Sequence, residues 1–307
     1  MINSCLFETS SGREIFYEYD HQKKGIPVIF LNGLSDSYSE WKKVAGLTQL
    51  NRPFLFVDLI GQGRSLDKEF ASGKKYNYRV SIEQQGKALL ELCRHLKISE
   101  FSLAGFSYGG GLALWLAQNQ PERVHNLILF LPFLLRLDLA FPLSRLFHFQ
   151  YDLMKKMTPS FLQAPFHIVE KSYEHFVHDY MHFRFSKRIP HHMHREAAIQ
   201  ISEGIMNFNV FHILSDLPDG KLHLVSADLD TLIPKSLVRE FWSRLPDSKK
   251  QSWTRLTDGE HLIFDQNPVV CASLLQSLLA MPVQEAPVER KITTQDLDLA
   301  EQNVFSA

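Results

Sequence analysis

Three residue types able to carry out acyl transfer occur in order along the chain. Ser107 stands in "LAGFSYGGG" (103–111), with Gly105 and Gly109 two residues to either side and Gly110 and Gly111 following. Two aspartates, Asp228 and Asp230, occur in "HLVSADLDTLIP", and His261 in "LTDGEHLIFDQNP". A serine hydroxyl is a weak nucleophile until a base takes its proton, and the base in turn needs an orienting acid. Glycine weakens strands and helices alike, so the crowd around Ser107 marks a special backbone geometry. G-x-S-x-G between a strand and a helix fits a sharp turn that strains the serine and leaves no room for side chains beside it. Such a turn holds the hydroxyl at the C-terminal edge of a sheet, where ligands bind in open α/β folds. The following helix N-terminus offers N–H groups and a positive dipole end to an oxyanion.

The turn demands a strand before it and a helix after it, and the sequence supplies both. "FSLAG" is an apolar run and "YGGGLALWLAQNQ" reads as a helix stopped near Pro121. Upstream, "REIFYEYD" alternates like a strand, whereas "PVIFLN" and "FLFVD" are continuous apolar runs expected of strands buried on both faces. "SEWKKVAGLTQL" can form a helix, and "SIEQQGKALLELCRHLK" has helical periodicity with Ser81 as N-cap. "VHNLILFL", "KLHLVSA" and "SWTRL" continue the strands; "PKSLVREFWSRL" and "NPVVCASLLQSLLA" continue the helices. Alternating strands and helices predict an α/β fold, a mostly parallel twisted sheet covered on both faces.

The alternation divides the chain. Residues 1–132 and 216–281 form the two parts of the core, and residues 133–215 read as a helical insertion rich in Phe, His and Leu. Residues 282–307 are a polar tail, expected to be peripheral or disordered. Nine of the fourteen histidines fall in the insertion, and His175, His178 and His182 can share a helix face. No carboxylate or cysteine pattern completes a recognised metal site around them, so no metal is expected.

Composition sets outer bounds. Hydrophobic residues are 45% and charged residues 22% of 307, as in a globular protein, and the formal net charge of -1 gives no basic field for nucleic acid. Three separated cysteines, Cys5, Cys93 and Cys271, fit buried thiols in a reducing, cytoplasmic compartment. The N-terminal stretch lacks a basic region followed by an apolar one, and no apolar run reaches the length of a membrane span. "LLRLDLAFPLSRLF" would suit a membrane surface, but a buried amphipathic helix explains it equally; oligomeric state is not legible.

Several segments together resemble the α/β-hydrolase superfamily, over roughly residues 10–132 and 216–281. "FLNGLSDSYSEW" is similar to its oxyanion-loop segment, "VDLIGQGRS" to the loop after the next strand, and "GFSYG" to the nucleophile elbow. "DTLIP" is similar to the acid loop and "GEHLIF" to the histidine loop. The resemblance implies Ser107 as nucleophile, His261 as general base and acid, and Asp230 as the orienting carboxylate. Asp230 is preferred over Asp228 because the family's acid usually lies four residues before a proline, here Pro234. Asp228 is then expected to be solvated or to hold its loop. The implied oxyanion donors are the backbone N–H groups of Leu34 and Tyr108, with both side chains as pocket walls. Asp58 and Ser65 are read as stabilising their loop.

Three residues depart from the family pattern. Asn32 replaces the usual histidine before Gly33 and is expected to act as a hydrogen-bonding prop. Ser226 stands where glycine is common, and Glu260 precedes His261 and should face solvent. The resemblance further implies that the insertion caps the site. Most of its apolar residues should pack the cap's own core, and a few should line an apolar acyl pocket. The implied function is a serine hydrolase acting on a small-molecule ester, lactone or thioester with an apolar acyl group, without a cofactor. The alternatives are hydrolysis of a C–C bond in a diketone by the same triad, and a non-catalytic ligand-binding protein on the same fold.

Overall fold

The computed structural model describes residues 3–34, 36–65, 80–137, 139–169, 171–172, 197, 200–201, 204–205, 207–282 and 286–296. Nine strands form one sheet in the order β1-β2-β4-β3-β5-β6-β7-β8-β9. They are β1 Asn3–Glu8, β2 Glu14–Tyr19, β3 Val28–Leu31, β4 Phe54–Val57, β5 Phe101–Phe106, β6 Val124–Phe130, β7 Leu222–Ala227, β8 Lys250–Leu256 and β9 Val288–Ile292. β1 pairs with β2, and β2 with β4, antiparallel; from β4 through β3 to β9 every pairing is parallel.

The central strands are continuous apolar runs because both faces are covered. Ile29, Leu31, Leu103, Leu127 and Leu129 belong to one buried cluster, while Val28, Phe30, Ala104, Ile128 and Phe130 belong to the other. The first cluster takes in helices α2 (Ile82–His95), α3 (Tyr108–Asn119) and α5 (Lys235–Arg244). The second takes in α1 (Tyr38–Gly46), the short α6 (Ile263–Gln266) and α7 (Pro268–Ala280). The Ser81 hydroxyl accepts from the Gln84 N–H while the Gln84 side chain accepts from the Ser81 N–H, a reciprocal cap that fixes the start of α2.

Between β6 and β7 the chain leaves the sheet, and its described part contains α4 (Pro142–Met157). Arg145 donates two hydrogen bonds to Glu240 of α5, tying α4 to the core. The expectation that most apolar residues here pack inward does not hold for this helix. Only Tyr151 of α4 is buried, whereas Leu143, Leu146, Phe147, Phe149 and Met157 are exposed. Its contacts beyond the helix include polar ones, Arg145 reaching Glu240, His148 meeting Arg136 and the Tyr151 hydroxyl donating to the Phe166 carbonyl, and a ring contact of Tyr151 with Phe166 at 5.5 Å. His175, His178 and His182 lie outside the described residues.

Two further readings are adjusted. The tail contributes β9, which sits parallel beside β8 at the sheet edge, and Glu289 accepts from the Trp242 indole N–H at 2.6 Å. Its polar residues fit an edge strand, which has solvent on one side. Cys93 and Cys271 are buried, but Cys5 is exposed because it lies on the outermost strand, β1. No helix among the described residues is long and apolar enough to cross a membrane.

Candidate active site

The C-terminal ends of β3, β5, β7 and β8 converge on one edge of the sheet, and each delivers one part of the site. Ser107 follows β5 with φ 50° and ψ −116°, a left-handed backbone rarely tolerated outside glycine. Its N–H donates to the Phe130 carbonyl at 3.0 Å, and its carbonyl accepts from Phe133 at 2.8 Å and Gly110 at 2.9 Å. The strain is thus held by backbone bonds on both sides. The flanking glycines are required by space: a Cβ on Gly105 would lie 2.4 Å from the Gly109 carbonyl oxygen, and one on Gly109 would lie 2.1 Å from that of Leu31.

His261 joins the three side chains. Its Nε2 is 3.0 Å from Ser107 Oγ, and its Nδ1 is 2.8 Å from Asp230 Oδ2. A carboxylate only accepts, so Nδ1 carries the proton and Nε2 is left to accept from the serine hydroxyl. Asp230 Oδ1 accepts the N–H groups of Leu232 at 2.8 Å and Ile233 at 2.9 Å, so both carboxylate oxygens are engaged. The acid and histidine loops are stitched together where Leu229 N–H donates to the Gly259 carbonyl at 3.0 Å. Phe106 tilts against the imidazole at 5.3 Å, and Phe264 stacks on Phe106 at 4.5 Å, giving the ring an aromatic floor.

Asp228 is elsewhere employed. Its carboxylate accepts from Arg255 at 2.8 and 3.0 Å and pairs with Lys235 at 2.6 Å. It holds its loop, as one of the two expectations for it states, but through ion pairs and with little solvent contact. Asp58 does the same by hydrogen bonds from the N–H groups of Tyr38 at 2.6 Å and Arg64 at 2.8 Å, while the Ser65 hydroxyl donates to the Asp58 carbonyl. Asn32 is buried and donates to the Val57 carbonyl at 2.9 Å, bracing β3 against β4. Ser226 accepts from the Trp253 indole at 2.8 Å, a bond that a glycine there cannot make. Glu260 is exposed and accepts from Gln266.

Leu34 follows Gly33 at the end of β3, and Tyr108 is the first residue of α3, where helix N–H groups lack intrahelical acceptors. The Tyr108 side chain does not line a pocket. It is 2% exposed and runs into the core beneath the elbow, where burial pushes its phenol up. Leu34 is partly buried against the same core. One residue escaped the sequence reading altogether: Asp36, two beyond Leu34. Burial, then Glu40 and Asp265, push its carboxyl up to about 7, against the pull of His261 and the Gly33 N–H. An aspartate is visible in the sequence at this point, but its desolvation is not.

Comparison with known proteins bears on the family and the fold. A 2-hydroxymuconate semialdehyde hydrolase from Pseudomonas sp. (strain CF600) is 31% identical over 108 residues, which span 34% of this chain and 36% of that relative. The chain thus matches about a third of that relative's length. Among solved structures, an α/β hydrolase enzyme from a Medee basin deep-sea metagenome library superposes with a TM-score of 0.64 at 16% identity, covering 92% of this chain and 99% of that one. An esterase from Exiguobacterium antarcticum gives 0.61 at 17% identity, covering 90% and 100%. The family model of the α/β hydrolase fold matches residues 26–268, most of the chain, and the chain belongs to that family.

Proposed function

We propose that the protein is a serine hydrolase that cleaves a carboxylic ester, lactone or thioester with an apolar acyl group. The observation that carries the reading is the single hydrogen-bonded line from Ser107 Oγ through His261 to Asp230. In this reading Ser107 Oγ attacks the acyl carbon as its proton passes to His261 Nε2. Asp230 holds the imidazole in the right tautomer and offsets the charge of the imidazolium. The oxyanion accepts from the backbone N–H groups of Leu34 and Tyr108, donors fixed before the charge develops. Collapse expels the alcohol, which takes the proton from Nε2. Water then attacks the acyl-enzyme by the same route, releasing the acid and restoring Ser107.

Residues 133–215 act as the cap in this reading. Their exposed apolar side chains, Leu146 and Phe147 among them, support an apolar acyl group as the substrate part they meet. A second reading, hydrolysis of a C–C bond, draws support from the partial match to the 2-hydroxymuconate semialdehyde hydrolase. The two share every catalytic residue and separate on substrate. Fluorophosphonate labelling with Ser107→Ala as control tests the common ground, since only an activated serine reacts. Loss of labelling and of ester turnover in the variant is expected; equal turnover by variant and parent would refute it. A panel of esters, lactones and diketones then decides between the readings.

A further inference from the structure

Two of the carboxylates near Ser107 have partners that explain them: Asp230 holds His261, and Asp228 is paired with Arg255 and Lys235. Asp36 does neither. It lies in the turn between β3 and α1, just before the N-cap Ser37. Its N–H donates to the Gly33 carbonyl at 3.3 Å, and its carboxyl accepts from the Gly33 N–H. The contact is close enough that a Cβ on Gly33 would fall 2.3 Å from Asp36 Oδ2 and 3.0 Å from the Phe106 ring. Phe106 is also the ring that His261 tilts against. The carboxyl therefore packs against Gly33, in the turn that leads to Leu34, and is close enough to His261 to feel its charge.

The charged groups that act on Asp36 are Glu40 from α1, Asp265 from α6 and His261 from the loop before α6. Two of the three are acids. Burial and those two acids favour the neutral carboxyl, so proton loss is postponed to about 7. As the neutral acid, Asp36 can accept the Gly33 N–H through its carbonyl oxygen and add no charge. As the anion it keeps that bond, but adds a negative charge to the turn two residues beyond Leu34, within electrostatic reach of His261.

We propose that Asp36 is a positioning residue of the oxyanion turn, holding Gly33 and Leu34 in their working geometry as the neutral acid and opposing the oxyanion once ionised. The proposal rests on the reading of Ser107, Asp230 and His261 given above. It goes beyond it in assigning a fourth side chain and a direction of pH dependence.

The test compares the full-length parent with Asp36→Asn and Asp36→Ala. Two rates are followed from about pH 5.5 to about pH 9.5: kcat and KM for p-nitrophenyl butyrate, and fluorophosphonate labelling of Ser107. The parent should lose roughly tenfold in kcat on the alkaline side, the size of one added like charge near the site at intermediate dielectric. The midpoint should lie at about 7. Asp36→Asn, which can still accept the Gly33 N–H but cannot ionise, should match the parent in acid and lose the alkaline fall. Asp36→Ala should lower kcat across the range with KM nearly unchanged, because the turn loses its anchor. An alkaline fall in Asp36→Asn equal to the parent's would overturn the proposal, as would parental kcat in Asp36→Ala. Should Asp36→Ala not fold, the Asp36→Asn profile decides alone. Parent that turns over ester and labels at Ser107 while the profiles superimpose sinks this inference only. Parent that does not label at Ser107 sinks it together with the proposed function.

Discussion

The C-terminal edge of the sheet and the inserted segment after β6 are built on opposite plans. At the edge, atoms are fixed by backbone: the Ser107 carbonyl accepts from Gly110 and Phe133, and both Asp230 oxygens are engaged. Phe106 and Asn32 are 6% and 1% exposed. In the inserted segment Leu143 and Phe161 are each 83% exposed, and α4 is held to the core through the polar contacts of Arg145 and Glu240. Under the proposed function, the difference is a division of labour. Bond-making chemistry needs reacting groups set within fractions of an ångström, which only a close-packed edge supplies. Choosing an apolar chain needs area, which a looser surface supplies in small increments.

The sharpest break of this comparison lies within the edge itself, between two aspartates two residues apart. Asp230→Asn should lower kcat by roughly three to four orders of magnitude, because an amide favours the wrong imidazole tautomer. Asp228→Asn should change kcat less than about tenfold and act on stability instead, since Arg255 and Lys235 lose a partly buried partner. Steady-state kinetics and thermal melts of both variants check this. The reverse ranking in kcat would move the catalytic acid to Asp228.

Packing gives the next largest effect. Gly109→Ala drives a Cβ to 2.1 Å from the Leu31 carbonyl oxygen, backbone that cannot step aside without moving β3. A loss of upwards of about 3 kcal/mol in denaturant unfolding is expected. Leu143→Ala, in the inserted segment, should stay within about 0.5 kcal/mol of the parent. Similar losses at the two positions would mean that the segment is as tightly packed as the edge.

How far the sequence carried the reading follows the same division. Val28 and Phe30 face one cluster while Ile29 and Leu31 face the other, so a continuous apolar run announced a doubly covered strand. The elbow was legible because space alone demands its glycines. Asp230 was separable from Asp228 only through the family's spacing to proline, because both are aspartates in the same loop and only their partners distinguish them. Three features were out of reach for one physical reason, that burial and pairing arise from residues distant in the chain. The Tyr108 ring is buried in the core although the residue directly follows Ser107 at the start of α3. Asp36 owes its raised pKa to burial, Glu40 and Asp265. The strand β9 finds its partner in β8, across the whole of α7.

A buried histidine in the core sharpens the comparison by pH. His223, on β7, is 1% exposed, its Nδ1 is 2.8 Å from Ser252 Oγ, and burial lowers its pKa to about 4. An unfolded histidine titrates near 6.5, so below that value the unfolded chain binds a proton that the folded one refuses. Stability should therefore be unaffected above about pH 6.5 and fall as pH drops toward 4, by up to about 3 kcal/mol. Asp36 acts in the opposite sense, since a raised carboxyl favours the folded state in acid. The slope that belongs to His223 is thus isolated as the difference between the parent and His223→Gln in melts at stepped pH. Parallel curves for the two proteins would show that His223 is free to take up its proton in the folded state.

The smallest effect is expected where the molecule is least constrained. If the inserted segment supplies the acyl surface, each methylene buried against it contributes up to about 0.8 kcal/mol, roughly a factor of four in kcat/KM. For p-nitrophenyl esters the constant should rise from acetate to at least butyrate or hexanoate, then fall once the chain outgrows the pocket. Leu146→Gln with Phe147→Gln should flatten that rise without moving the melting temperature, because both side chains are about half exposed and support little of the core. A loss of rate equal for acetate and hexanoate would mean that the two residues hold the segment's shape and do not touch the acyl chain. A parent profile that is flat, or that peaks at acetate, would remove the acyl surface from this segment while leaving the chemistry of Ser107, His261 and Asp230 untouched.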